Sequence, residues 1–135
     1  MAHPKQVARF RRLAFQRREA AEVLLKQGYT TDAVYLAGYT VECILKALAL
    51  SLWPQRQHAE MVASFRGRAA HDYEWIRRKY LMRVSIPKAV LTSLVLVGSW
   101  TPDIRYDTSR IDPRVADRFF ADVKTVLDWC EGRIG

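Results

Sequence analysis

The chain has 135 residues, half of them apolar and 27% charged, enough for one buried core and too few for two, and far from the composition of a disordered chain. Twenty-two Lys and Arg against 14 Asp and Glu give a formal charge of +8, unevenly placed: residues 1–100 carry a net +9 and residues 101–135 a net −1. Cys43 and Cys130 fall inside apolar helical patterns and read as buried free thiols, so neither a disulfide framework nor a zinc cluster is expected, and no cofactor signature is visible.

Residues 6–27 begin the pattern, with Phe10, Leu13, Ala14, Ala20, Ala21 and Leu24 at three- and four-residue spacing, the period of one helical face. Residues 1–10 hold Lys5 and Arg9 but no apolar leader, and no apolar run approaches the roughly 18 residues that cross a bilayer, so a cytoplasmic protein without membrane contact is expected. Arg9, Arg11, Arg12, Arg17 and Arg18 give this first helix a basic face that suits phosphate or an acidic partner, or serves only as a solvated surface. Arg17 falls within the apolar stripe and must snorkel outward or meet a carboxylate. Gly28 is placed to end the helix.

Thr30, Thr31 and Asp32 offer capping oxygens to a second helix that runs to about Leu52, before Pro54. Its apolar residues nearly encircle it, which makes it the central helix, and Ala37 and Gly38 offer a close approach to another helix or to a second copy. Residues 53–70 lack a sustained pattern except for a short helix from His58 to Phe65. Asp72 caps a third main helix with Ile76 and Tyr80 inward, and Ser85 and Pro87 start a fourth over Lys88–Val97, ended by Gly98. Residues 99–111 form a long loop, and Asp112-Pro113 opens the last helix, with Ala116, Phe119, Phe120, Val123, Val126, Leu127 and Cys130 along one face. The whole chain reads as one all-α domain, an antiparallel up-and-down bundle of four to five helices.

The string Ala33-Val34-Tyr35-Leu36-Ala37-Gly38-Tyr39-Thr40-Val41-Glu42-Cys43-Ile44-Leu45-Lys46-Ala47-Leu48, following Gly28-Tyr29, resembles the signature of the HEPN (higher eukaryotes and prokaryotes nucleotide-binding) domain family. His71-Asp72 at a helix start, the loop from Trp100 through Ile104-Arg105-Tyr106-Asp107, and the terminal amphipathic helix fit the same order, so the resemblance covers nearly the whole chain. It implies a homodimer, through the small-residue or fourth-helix surface, that engages RNA or a nucleotide. It also implies a toxin–antitoxin or defence setting, with a nucleotidyltransferase or antitoxin-type protein partner.

The residues carry their own argument. Glu42 and Lys46 stand four apart on the most apolar helix, where exposed pairing at that spacing is worth only about 0.2–0.5 kcal/mol, so buried partners are required. Arg105 on the long loop is the expected partner of Glu42, pinning the loop to the bundle. A second reading, compatible with the first, has Lys46 and Arg105 hold a phosphate, with Tyr35, Tyr39 or Tyr106 stacking on a base.

Active HEPN ribonucleases carry an Arg, four to six residues and a His, paired across a dimer and working without a metal. Arg66-Gly67-Arg68-Ala69-Ala70-His71 has that spacing, although a glycine follows Arg66 and the motif precedes the third main helix rather than lying near the C-terminal third. Histidine suits acid–base work on a 2′-hydroxyl and Arg suits phosphate charge. Three readings therefore stand beside one another: a binding module for RNA or a nucleotide, a metal-independent endoribonuclease using Arg66 and His71, and a non-catalytic assembly subunit.

Overall fold

Hydrophobic periodicity and turn chemistry place six α-helices in the structure, a computed structural model that describes residues 3–135 except for the Arg105 side chain. They are α1 (Lys5–Lys26), α2 (Thr30–Leu52), α3 (His58–Ser64), α4 (Tyr73–Tyr80), α5 (Lys88–Val97) and α6 (Pro113–Ile134), with short 3₁₀ turns at Gln55–Gln57, Arg68–His71 and Pro102–Tyr106. No strand occurs among the described residues, and the helices form a bundle. The short α3 takes the helix count beyond the four to five expected.

Each boundary has a local cause. Gly28 adopts φ +85°, with its N–H on Leu25 O and the Tyr29 N–H on Leu24 O, a Schellman motif that satisfies the last carbonyls of α1 and turns the chain back into α2. Asp72 and Asp112 cap α4 and α6 by accepting from the N–H groups of Glu74 and Arg114, and Pro113 occupies the first turn of α6. The threonines at the start of α2 do something other than cap it. Thr30 donates to Ile111 O at 2.6 Å, while Thr31 donates to Ser109 O at 2.8 Å and accepts from Ile111 N–H at 3.1 Å. Both hydroxyls thus fasten the end of the 99–111 loop, and the N-cap position, Tyr29, gives no side-chain cap.

Helix α2 is the hub. Packed by α1, α4, α6 and the Pro102–Tyr106 turn, it keeps Val41, Ile44, Leu45 and Leu48 almost wholly buried, each contributing about 1.5–3 kcal/mol. Contrary to the sequence expectation, α2 is long and apolar enough by length and composition to cross a bilayer, yet 83% of that stretch is buried inside the bundle. Helix α5 packs on α6, where Ser93 donates to Asp122 at 2.8 Å. Arg11 of α1 reaches both carboxylate oxygens of Glu131 on α6, at 2.7 and 3.0 Å.

Candidate functional site

Halfway along α2 the missing side chain of Gly38 leaves a notch, and an indole fills it. A Cβ at this position would meet Trp100 Cε2 at 2.0 Å, so only glycine admits the ring. The Trp100 Nε1–H donates to Tyr35 O at 3.1 Å, and the Tyr73 hydroxyl donates to Gly38 O at 2.7 Å. The Tyr73 and Trp100 rings lie parallel with centroids 5.8 Å apart, and the edge-to-face contacts of Tyr39 with Tyr35, His71 and Trp100 complete an aromatic cluster. The close approach at Gly38 therefore comes from the chain's own loop, Ala37 lies among residues of α1 and α6, and both residues are buried.

One turn further along α2, Glu42 and Lys46 are 5% and 3% exposed, and the Lys46 Nζ donates to Glu42 Oε2 at 2.8 Å. The other carboxylate oxygen, Oε1, lies 2.7 Å from His71 Nδ1. A carboxylate only accepts, so Nδ1 carries the proton, and Nε2 has no partner among the described residues. Lys46 also lies 5.0 Å from the centroid of the Phe65 ring, a cation–π contact that helps offset its burial. Burial, reinforced by the Glu42 charge, holds the Tyr73 hydroxyl well above its ordinary pKa, so it remains a donor. The same two causes push the Cys43 thiol up to about 11, and burial pushes Cys130 up to about 12.

His71 opens onto a cleft of about 550 Å³. Trp100 and Tyr73 line it, Asp72 and Thr101 flank it, and Arg68 and Asp103 pair at 2.9 Å. That pair is exposed, 88% and 59% by side chain, so it is weakly held and free to exchange partners. The Pro102–Tyr106 turn supplies Pro102 and Asp103 to the cleft, and the Arg105 backbone belongs to the same turn.

Of the residues singled out from sequence, His71 and Glu42 come together, with Tyr39 against the His71 ring. Lys46 joins them from the core side and is absent from the cleft lining, so its described role is neutralising Glu42 rather than meeting a phosphate. The proposed pairing of Arg105 with Glu42, and its phosphate contact, lie outside the described residues; the described partners of Glu42 are Lys46 and His71. Tyr106 is 71% exposed at the end of the turn. Arg66 is exposed between α3 and the Arg68–His71 turn, and no hydrogen bond or ion pair joins it to His71 among the described residues.

The basic face of α1 divides. Arg11 is bound to Glu131 and Arg18 to Glu22, whereas Arg9 and Arg12 line a shallow groove with Lys5. Arg17 stays half-exposed, with no carboxylate partner among the described residues and its charge close enough to lower the Cys43 thiol slightly.

Sequence reasoning missed Trp100, Tyr73, Arg68 and Asp103 as a set. The available signal was Gly38, a glycine in a helix interior, which implies that something bulky sits against it. Among the described residues no group of three or more His, Cys, Asp and Glu side chains could hold a metal ion. Comparison with known protein families, with curated proteins and with solved structures finds no match to this chain.

Proposed function

We propose that the chain is a HEPN-like helical module that binds RNA or a nucleotide, with a ligand phosphate seated in the cleft between Arg68 and His71, whose ring carries both protons in the complex and donates Nε2–H to the phosphate. The observation that carries this reading is His71: a buried carboxylate fixes its Nδ1 while the ring lines a cleft of about 550 Å³. Arg68 exchanges Asp103 for phosphate at little cost because both are exposed. Tyr106, on the adjoining turn, is proposed to stack on a base and Arg105 to add a phosphate contact, and the groove of Arg9 and Arg12 adds a basic surface for a longer strand.

The test is titration of a labelled single-stranded RNA at several salt concentrations. Affinity is expected to fall as salt rises, with a slope reduced by about 0.7 for each phosphate contact removed, and to drop in Arg68→Ala, Arg105→Ala and His71→Ala. Binding that is indifferent to salt and to all three substitutions refutes the assignment.

A second reading rests on the same Glu42–His71 pair. A histidine fixed by a carboxylate at one nitrogen and open at the other is built for proton transfer, so metal-independent RNA cleavage in EDTA, lost in His71→Ala, would mark the chain as an endoribonuclease. The Arg66 of that reading is tested by Arg66→Ala alongside Arg68→Ala. A homodimer is also proposed, now through α5, because Val95 and Leu96 are 71% and 59% exposed while the Ala37–Gly38 surface is covered. Sedimentation of the chain and of Val95→Glu decides it. The cytoplasmic setting, the toxin–antitoxin or defence role and the nucleotidyltransferase or antitoxin-type partner rest on the family resemblance alone.

A further inference from the structure

The far end of α2 carries a second recess, independent of the cleft. Glu42 and Leu52 are ten residues apart on one helix, which separates the two places by about 15 Å. Leu52, Trp53 and Met82 line this groove of about 600 Å³ and are 43%, 37% and 70% exposed, an apolar cluster left uncovered by the bundle. Lys79, Arg83 and Arg133 stand at its margins, contributed by α4, the segment after it and the end of α6. No carboxylate lines the groove among the described residues, and neither Arg83 nor Arg133 has an acidic partner there. In a chain that pairs Arg11, Arg18, Arg77 and Lys124 with carboxylates, three cations converging on exposed apolar side chains form a distinct arrangement.

The groove is also held in shape. The Trp53 Nε1–H donates to Tyr80 O at 3.0 Å, and the Trp53 carbonyl is 2.9 Å from His58 Nε2. The Tyr80 ring meets Trp53, Phe65 and Trp75 edge-to-face, and Lys79 lies 5.1 Å from the Trp75 centroid. A partner would therefore lose little entropy in ordering this floor.

We propose that this groove is a docking site for an acidic amphipathic segment of a protein partner, which seats apolar anchors on Leu52, Trp53 and Met82 and sets its carboxylates against Lys79, Arg83 and Arg133. Charge decides among the occupants. A second copy using the same face would bring like charges together, so an isologous contact is disfavoured. A nucleic-acid strand would match the cations, but two of the three exposed anchors are aliphatic, whereas strand-binding sites present aromatic faces for stacking. An acidic segment with leucines on one face satisfies both the charge and the aliphatic surface.

The test uses the intact chain at physiological ionic strength with three fluorescein-labelled probes. One is an amphipathic helical peptide with leucines on one face and glutamates on the other, the second its twin with lysines replacing glutamates, and the third an oligouridylate. The acidic peptide is expected to bind and the lysine twin not. Combined Lys79→Glu, Arg83→Glu and Arg133→Glu substitution should weaken the acidic peptide by about tenfold or more, and because all three sites are exposed the circular dichroism spectrum should stay that of the parent. Met82→Glu should weaken it independently, by adding a like charge at the apolar floor. Arg9→Glu with Arg12→Glu on α1 should change it by less than about twofold, which separates the groove from the net charge of the chain. Equal binding of the two peptides, an α1 variant as damaging as the groove variant, or oligouridylate as the only probe lost on groove reversal would each overturn the proposal.

Discussion

Removing the Glu42 carboxylate as Glu42→Gln tests the central polar cluster directly. Four groups share that carboxylate's environment: Lys46 at 2.8 Å, His71 at 2.7 Å and, through its charge, Tyr73 and Cys43. The Lys46 side chain is 4% exposed and has nowhere to take its charge, so the substitution strands an ammonium in the core, a change that costs about 3–5 kcal/mol. A chain of this length has a total stability of about 7–20 kcal/mol, so the loss is a large fraction of the whole. The molecule contains its own control. Lys124 and Asp128 have the same four-residue spacing and a 2.7 Å contact, but are 61% and 57% exposed, so Asp128→Asn should cost less than about 0.5 kcal/mol. His71→Ala falls between, at about 1–2 kcal/mol, because it leaves Glu42 one donor and empties a half-exposed position. Urea unfolding followed by circular dichroism measures all three. A Glu42→Gln cost equal to that of Asp128→Asn would refute the claim that burial, rather than spacing, gives this pair its energy.

Three further outcomes are expected. Gly38→Ala should destabilise by at least about 1–3 kcal/mol and alter tryptophan fluorescence, because the new methyl would overlap the Trp100 ring; an unchanged spectrum and stability would show the indole seated elsewhere. Gly28→Ala should cost only about 1 kcal/mol in thermal or urea unfolding, since open space surrounds the site and the penalty is the positive φ alone. Cys43 and Cys130 should resist a thiol reagent at pH 8 until the chain is unfolded. With folded pKa values raised to about 11 and 12 from 9.0, their stabilising effect is complete below pH 9 and lost as pH rises through that window, about 2 kcal/mol from Cys43 by pH 11, a loss that Cys43→Ala should remove.

The helices were legible because their signals are local. Asp72 and Asp112 are capping residues by chemistry, Gly28 is a helix end by conformation, and the stripe on α6 announces its inward face. The charge anomaly on α2 was legible too: two charges on the most apolar helix demanded a buried partner. Which partner was not, because His71 and Arg105 lie 29 and 63 positions from Glu42 and both suit a carboxylate. Thr30 and Thr31 show the same limit from the other side. As residues at a helix start they qualify as caps, and only the position of Ser109 and Ile111, 78 to 81 positions away, draws their hydroxyls to the loop. The cleft was invisible for a related reason, since Trp100 becomes its wall by entering a notch that the sequence records only as one glycine.

That dependence on distant pairing leads to an opposition between stability and binding. A buried ion pair replaced on both sides by apolar or neutral groups of similar size is often neutral, or stabilising by about 1–4 kcal/mol, so the double variant Glu42→Gln with Lys46→Met should recover much of the stability that Glu42→Gln loses alone. It cannot recover what the carboxylate does for His71. A glutamine side chain carries no charge to balance a ring with both protons and can donate to Nδ1 as well as accept from it, so His71 no longer keeps Nδ1–H on its partner and Nε2–H on the phosphate together. The double variant should therefore fold as well as the parent while binding RNA more weakly. If it binds as the parent does, the Glu42–Lys46–His71 cluster is a packing device, and the cleft owes its affinity to Arg68 and the Pro102–Tyr106 turn alone.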